Sequence, residues 1–205
     1  MKILVFSDIH CDLNRIKQIV STSADYYILC GDVSDLGDGL VEAGKAFSSL
    51  GKKLLVIPGN NETEEPMDVW CRDYGFTSLH RKVLKFGRYN FAGLGHSVYL
   101  PFSNPPDDLA TPGEKSEEWF AGELRKFVGL KKLLLFMHEP PLNTKLDLVR
   151  SGVHVGSQAV RDFIIKEKPL HFFSGHIHEC AGNKEVLSGA ICHSTGKKGV
   201  LLSLD

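Results

Sequence analysis

No stretch of this 205-residue chain is long and apolar enough to cross a bilayer. Its first residues run almost directly into a strand, without the apolar core of a secretory leader. A cytoplasmic protein with no membrane partner is therefore the expectation. An excess of one charge sign is equally absent: 24 Lys and Arg stand against 25 Asp and Glu, a formal net charge of -1. That balance offers no basic field for duplex DNA, so nucleic acid is not an expected partner. Cysteines are few and unpaired in pattern. The five, Cys11, Cys30, Cys71, Cys180 and Cys192, are odd in number, widely spaced and without a CxxC pair, which excludes a disulfide framework or a structural zinc knot. No Gly-, Ser- or Pro-rich linker divides the chain, so one domain over residues 1–205 is expected, with a hydrophobic content of 42% sufficient for a sizeable core. Nothing in the composition speaks to oligomeric state.

What the chain does have is a repeated event. Ile3 to Phe6 form an unbroken apolar run, the signature of a strand covered on both faces, and Asp8 and His10 follow at once. Asp12 is placed to cap a helix carrying Leu13, Ile16, Ile19 and Val20 on one face. Tyr26 to Cys30 is a second buried strand ending in Gly31-Asp32, and Lys53 to Ile57 a third ending in Pro58-Gly59-Asn60-Asn61. A helix over about Gly39 to Leu50 completes a βαβαβ start, which implies a parallel sheet, and a further helix over about Glu65 to Tyr74 follows the third strand.

The later half mixes patterns. Lys82 to Leu94 reads as an antiparallel hairpin turning at Gly87-Arg88. Ser97 to Ala110 is Pro-rich and aperiodic, the character of a lid, and its Tyr99 and Phe102 would stack on a base or aryl group. Thr111-Pro112-Gly113-Glu114 predicts a capping box opening a helix that runs to about Val128. Lys132 to Met137 delivers His138. Val153-His154-Val155-Gly156-Ser157 leads into a helix with Val160, Phe163 and Ile164. Leu170 to Phe173 delivers Gly175-His176-Ile177-His178, and two or three strands close the chain around turns at Ser188-Gly189 and Gly196 to Gly199.

Asp8, His10, Asp32, Asn60, His138, His176 and His178 thus all fall just past strand ends, where α/β sheets bind ligands. Each alone has an ordinary explanation as a turn residue or core histidine, but repetition at one topological place does not. Seven oxygen and nitrogen donors exceed what one tetrahedral ion takes and suit two metals sharing a carboxylate. The neighbouring Cys11 and Cys180 are expected spectators, Trp70 and Trp119 packing residues, and Lys197-Lys198 a solvated turn.

In order, spacing and glycine context, the succession Asp8-x-His10, Gly31-Asp32, Gly59-Asn60, His138 and Gly175-His176-x-His178 resembles the calcineurin-like metallophosphoesterases. The SEEW and HVGS segments are further similar to a small prokaryotic branch of predicted phosphoesterases. The resemblance implies an α/β fold, an αββα sandwich of two mixed sheets flanked by helices. It also implies two divalent ions, manganese before iron or zinc, with Asp8, His10 and His178 on one, Asn60, His138 and His176 on the other, and Asp32 bridging both and orienting a hydroxide.

The implied substrate is a small phosphoester, nucleotide-like if the lid stacks a base. One position departs from the family pattern: Asn61 stands where the family has a histidine that protonates the leaving group or orients phosphate. Asn carries no transferable proton, and general acid catalysis is worth on the order of 10² to 10⁴ in rate. Phosphodiesters with good leaving groups are accordingly expected before monoesters, unless His96 or His154 supplies the proton. The competing expectation is an inactive scaffold of the same fold that binds protein partners.

Overall fold

Alternation decides how β1 (Lys2–Phe6) is used: Ile3 and Val5 face one way, Leu4 and Phe6 the other, and all four are buried. In the computed structural model, which describes residues 1–99 and 111–205, β1 lies inside a five-stranded sheet. Its order is β13 (Val200–Ser203), β1, β2 (Tyr26–Cys30), β3 (Leu54–Ile57) and β4 (Thr77–Ser78), with only β13 antiparallel. The outer face packs Leu4 and Phe6 against Ile16 and Ile19 of α1 (Leu13–Ser21), Phe47 of α2 (Leu40–Phe47) and Trp70 of α3 (Glu64–Tyr74).

A second sheet of six strands runs β11 (Lys184–Leu187), β12 (Ala190–Ser194), β10 (His171–Ser174), β9 (Leu133–Met137), β6 (Tyr89–Leu94) and β5 (Lys82–Phe86). Its two outer pairs are antiparallel and its three inner pairs parallel. Ile3, Val5, Ile28 and Ile57 of the first sheet share a core with Phe91, Leu134, Phe136 and Phe173 of the second. Phe136 stands 5.2 Å from Phe91 and 5.2 Å from Phe173, a row of rings that fills the space between sheets. Helices α4 (Glu117–Leu124) and α5 (Gln158–Glu167) cover the far side through Phe120, Val160 and Ile164. The expected αββα sandwich is the observed architecture. Each large side chain so buried contributes roughly 1.5–3 kcal/mol, so the two sheets are held as rigid walls beneath their loops.

The local expectations hold at most elements and fail at the start of α4 and at the first residue of α1. Thr111-Pro112-Gly113-Glu114 opens no helix: Glu114–Lys115 is a short strand, β8, paired in parallel with β7 (Ser97–Val98). The cap belongs to Ser116, whose hydroxyl accepts from the Trp119 amide, and α4 ends at Leu124 before a single 3-10 turn, Arg125–Phe127. Tertiary contact decides the matter. Gly113 donates to the Asn60 carbonyl at 3.0 Å and lies so close to that loop that a Cβ would come within 2.5 Å of the Gly59 oxygen. Leu13, expected on the packed face of α1, is instead 40% exposed at its first turn. The lid expectation, with Phe102, falls almost wholly outside the described residues.

Candidate metal centre

The strands that deliver candidate ligands run parallel to one another within each sheet, so the carboxyl ends of β1, β2 and β3 and of β9 and β10 open on one rim. The turns there are unusually tight. Asp8, His10, Asp32 and His176 all adopt positive φ, between 46° and 69°. A non-glycine residue in that region costs of order 1–3 kcal/mol, a strain characteristic of functional loops. Gly59 permits the approach of β3's loop to β2's: a Cβ there would stand 2.0 Å from Asp32 Oδ1.

Two groups of donors result. His10 Nε2 lies 3.1 Å from His178 Nε2, and His178 Nε2 lies 3.6 Å from Asp8 Oδ1. Asp32 Oδ2 lies 3.8 Å from His10 Nε2 and 3.5 Å from His138 Nε2, between the two groups. His138 Nε2 in turn lies 3.0 Å from Asn60 Oδ1, and the His176 ring stands 5.0 Å from that of His138. Asp8 joins both sets, being within ligand reach of His10 and His178 and of Asp32 and His138. All seven residues singled out in the sequence are therefore brought to one place.

Surrounding hydrogen bonds fix which lone pairs point inward. His138 Nδ1 donates to the Cys30 carbonyl at 2.8 Å and His10 Nδ1 to Asp35 Oδ1 at 2.9 Å, leaving each Nε2 with its lone pair free for a ligand. His138 Nε2 and Asn60 Oδ1 thus face each other at 3.0 Å, an arrangement that a cation shared between them would satisfy. The electrostatics favour a cation. Burial opposes protonation of His138, yet the carboxylates of Asp32 and Asp8 raise its pKa above the ordinary imidazole value. Burial works against ionisation of Asp8 too, but His178, His138 and Ser7 overcome it and hold the carboxyl down at about 2. His176, buried beside His138, is lowered to about 4 and presents a neutral ring. Two carboxylates, four imidazoles and one amide oxygen form a donor set that fits divalent ions of the manganese, iron or zinc type.

The residues expected to serve catalysis are placed less simply. Asn61 turns both its amides onto Asp32. His96 is no surface residue: it is 1% exposed, with Nδ1 facing the Gly59 carbonyl at 3.3 Å and Nε2 3.6 Å from Glu64. His154 donates from Nδ1 to buried Asp147 at 2.8 Å and lines a cavity of about 400 Å³ together with Tyr99 and Lys115. The Cys11 thiol donates to the Asp38 carbonyl and that of Cys180 to the Leu148 carbonyl, so both are spectators as expected. Trp70 is buried with its indole N–H on the Leu40 carbonyl, and Trp119 packs edge-on against His96.

Several supporting residues carried no sequence signal. Glu62, 2% exposed, accepts from the amides of Asp32, Ser34 and Gly59 and from the Ser34 hydroxyl. Burial and the neighbouring Asp32 raise its pKa. Glu139, next to His138, is fully buried, and burial pushes its carboxyl well above the usual range while Oε2 accepts from the Val98 amide. Glu64, His80 and His96 also converge within ligand reach. That group is not a metal site, because His80 Nδ1 accepts from the Gly95 amide at 2.9 Å and its Nε2 must therefore carry the proton.

Comparison with known proteins agrees with this architecture. Residues 1–180 match the family described as calcineurin-like phosphoesterase. An uncharacterized protein of Methanocaldococcus jannaschii is 33% identical over 186 residues, covering 87% of this chain and 81% of that protein. The crystal structure of the Thermus thermophilus protein TT1561 superposes with a TM-score of 0.69 at 18% identity, covering 95% of this chain and 88% of that one. Phosphopantetheinyl hydrolase of Mycobacterium tuberculosis superposes with a TM-score of 0.69 at 15% identity, again over 95% and 88% of the two chains. At such identities the two superpositions establish the fold alone.

Proposed function

The chain belongs to the calcineurin-like phosphoesterase family, metal-dependent hydrolases with dinuclear sites, and from that premise we propose that it hydrolyses small phosphodiesters in preference to monoesters. The observation that carries the proposal is the convergence of Asp8, His10, Asp32, His138 and His178 on one place where the neighbouring Asn61 offers no acidic proton. Asp8, His10 and His178 would hold one ion, Asn60, His138 and His176 the other, and Asp32 both. Manganese is favoured. When bound, the ions supply an acidified water as nucleophile and neutralise the phosphate oxygens.

The chain's own residues do the rest. Asp32, held from behind by Asn61, keeps its oxygens aimed between the two donor groups. Hydrolysis adds water across one P–O ester bond, and the departing oxygen needs the proton. Asn61 has none to give, which favours esters whose leaving groups depart as anions. His154 is the better placed of the two histidines proposed to assist. Asp147 fixes its Nδ1, and His154 lines a cavity that none of the seven candidate ligands lines, so its help would go to a substrate long enough to reach from the metal centre into that cavity. Tyr99 at the rim of that cavity supports a base or aryl substituent, a nucleotide-like substrate.

The test is hydrolysis of bis(p-nitrophenyl) phosphate beside p-nitrophenyl phosphate with manganese, iron and zinc in turn. Diester turnover exceeding monoester turnover supports the reading. Absence of turnover with every metal would discard it in favour of a protein-binding scaffold.

A further inference from the structure

A cleft of about 570 Å³ is lined by two of the candidate metal ligands, Asp8 and His178. Its other wall comes from α1 and from the turn between β12 and β13, which together contribute Arg15, Lys197 and Lys198. Lys197 stands 3.9 Å from Asp12, whose other oxygen already accepts from the Arg15 amide. Among the described residues, neither Arg15 nor Lys198 has a carboxylate partner within 4.0 Å, and the backbone amides of Lys197 and Lys198 donate to no protein acceptor. Among the described residues lining the cleft, Asp8 alone is a carboxylate, and it turns to His178 and the His176 amide. On a chain with a net charge of -1, three poorly compensated cations in one concavity beside the reacting centre are a local anion trap.

The expectation of a merely solvated turn at Lys197-Lys198 misses this, because Arg15 is remote in sequence and only the β1–β13 pairing brings the turn to α1. We propose that the cleft binds a second, non-reacting phosphate, so that the substrate is a small phosphoester carrying two phosphate groups, one cleaved at the metal centre and one held by Arg15, Lys197 and Lys198. This rests on the phosphoesterase reading of that centre. A phosphate offers the oxygens that a guanidinium and two ammonium groups satisfy, with charge-assisted bonds stronger than neutral ones.

The experiment uses two chromogenic diesters, the 5′-(p-nitrophenyl phosphate) of thymidine with and without a 3′-phosphate, and calorimetric binding of the corresponding products, thymidine 3′,5′-bisphosphate and thymidine 5′-monophosphate. Fructose 1,6-bisphosphate beside fructose 6-phosphate forms a second arm that separates a sugar source of the phosphate from a nucleoside source. The extra phosphate is expected to tighten binding about tenfold in at least one arm. That preference should collapse in Lys197→Ala/Lys198→Ala and in Arg15→Ala, and should shrink as salt is raised. Equal binding of both members of each pair by the wild type, or a preference that survives both variants, overturns the proposal. The two readings fail separately. A tenfold preference in binding without turnover of any ester removes the phosphoesterase reading and keeps the phosphate subsite, whereas turnover without preference does the reverse.

Discussion

Asn61 grips Asp32 with two donors: its backbone amide donates to Oδ1 at 3.1 Å and its side-chain amide to Oδ2 at 2.7 Å. The residue that replaces the family histidine is thus an orienting group for the carboxylate between the two donor sets. That gives the substitution a function other than loss. Asn61→Ala keeps the backbone bond and removes the side-chain one. We expect diester kcat to fall about 10- to 100-fold, the usual cost of losing an outer partner of a ligand. Asn61→His exchanges the grip for a proton donor, and the ratio of monoester to diester turnover should rise. An unchanged ratio in Asn61→His would show that the missing acid does not set the substrate class.

Asp32 itself carries the sharper test. Its Oδ2 lies 3.5 Å from His138 and 3.8 Å from His10, so Asp32→Ala removes a carboxylate in reach of both sets at once. Bound manganese, measured by elemental analysis after gel filtration, should fall from about two ions per chain to one or fewer, and diester turnover should vanish. Full metal content with full turnover in this variant would rule out a shared carboxylate.

The His154–Asp147 pair predicts a dependence on leaving group. Asp147 is fully buried and accepts from the amides of Asn143, Thr144 and Gly156 as well as from His154, so its position is fixed. His154→Gln should depress kcat for alkyl esters about 100-fold or more while p-nitrophenyl esters, which need no proton, lose little. Equal losses for both ester types would assign His154 a structural role.

These side chains also mark how far the sequence could be read. Asp8, His10, Asp32, Asn60, His138, His176 and His178 were legible because each directly follows an apolar run, and strand ends are visible in one dimension. Glu62, Asp35 and Asp147 were not, since what makes them matter is burial or a partner 25 residues away, as in the His10–Asp35 contact. Thr111 is the cap the sequence suggests, whereas Ser116 is the cap the structure uses. Packing of Gly113 on the Asn60 loop chose between them, and no periodicity records that contact.

Acid should weaken the fold through histidines kept neutral by burial. His193 is 6% exposed, its ring 4.8 Å from Phe173 and its Nε2 3.2 Å from His171 Nδ1. Burial, reinforced by His171 and Lys184, pushes its pKa down to about 4. The unfolded chain, with an imidazole pKa of about 6.5, therefore takes up the proton first as pH falls. Its contribution is intact above about pH 6.5, is lost as pH drops toward about 4, and changes no further below; its size is at most about 3 kcal/mol. His193→Phe keeps the stacking surface and removes the titration. The fall in urea midpoint between neutral and acid pH should be shallower in the variant, though still present, because burial lowers His80 to about 4 and His96 to about 3 as well. Parallel pH profiles for the two proteins would refute the assignment.

Glu62 offers the last and strictest test of how the centre is held. Its two oxygens receive four donors: Oε1 from the Ser34 amide and hydroxyl, Oε2 from the amides of Asp32 and Gly59. Glu62→Gln preserves size and one acceptor but turns an NH₂ group toward backbone N–H groups that cannot accept. Two buried donors are then unpaired, a cost of about 1–3 kcal/mol each. The loops after β2 and β3 should part, and Asp32 and Asn60 with them. We expect the melting temperature to drop by about 5–15 °C, at roughly 2–4 °C per kcal/mol for a chain of this size, and manganese affinity to weaken in the same variant. Glu62→Ala separates the causes: it leaves the donors unpaired without opposing them, so it should lose stability yet retain more metal than Glu62→Gln. Equal metal loss in both variants would show that the carboxylate's charge, and not its hydrogen-bond geometry, holds the two loops together.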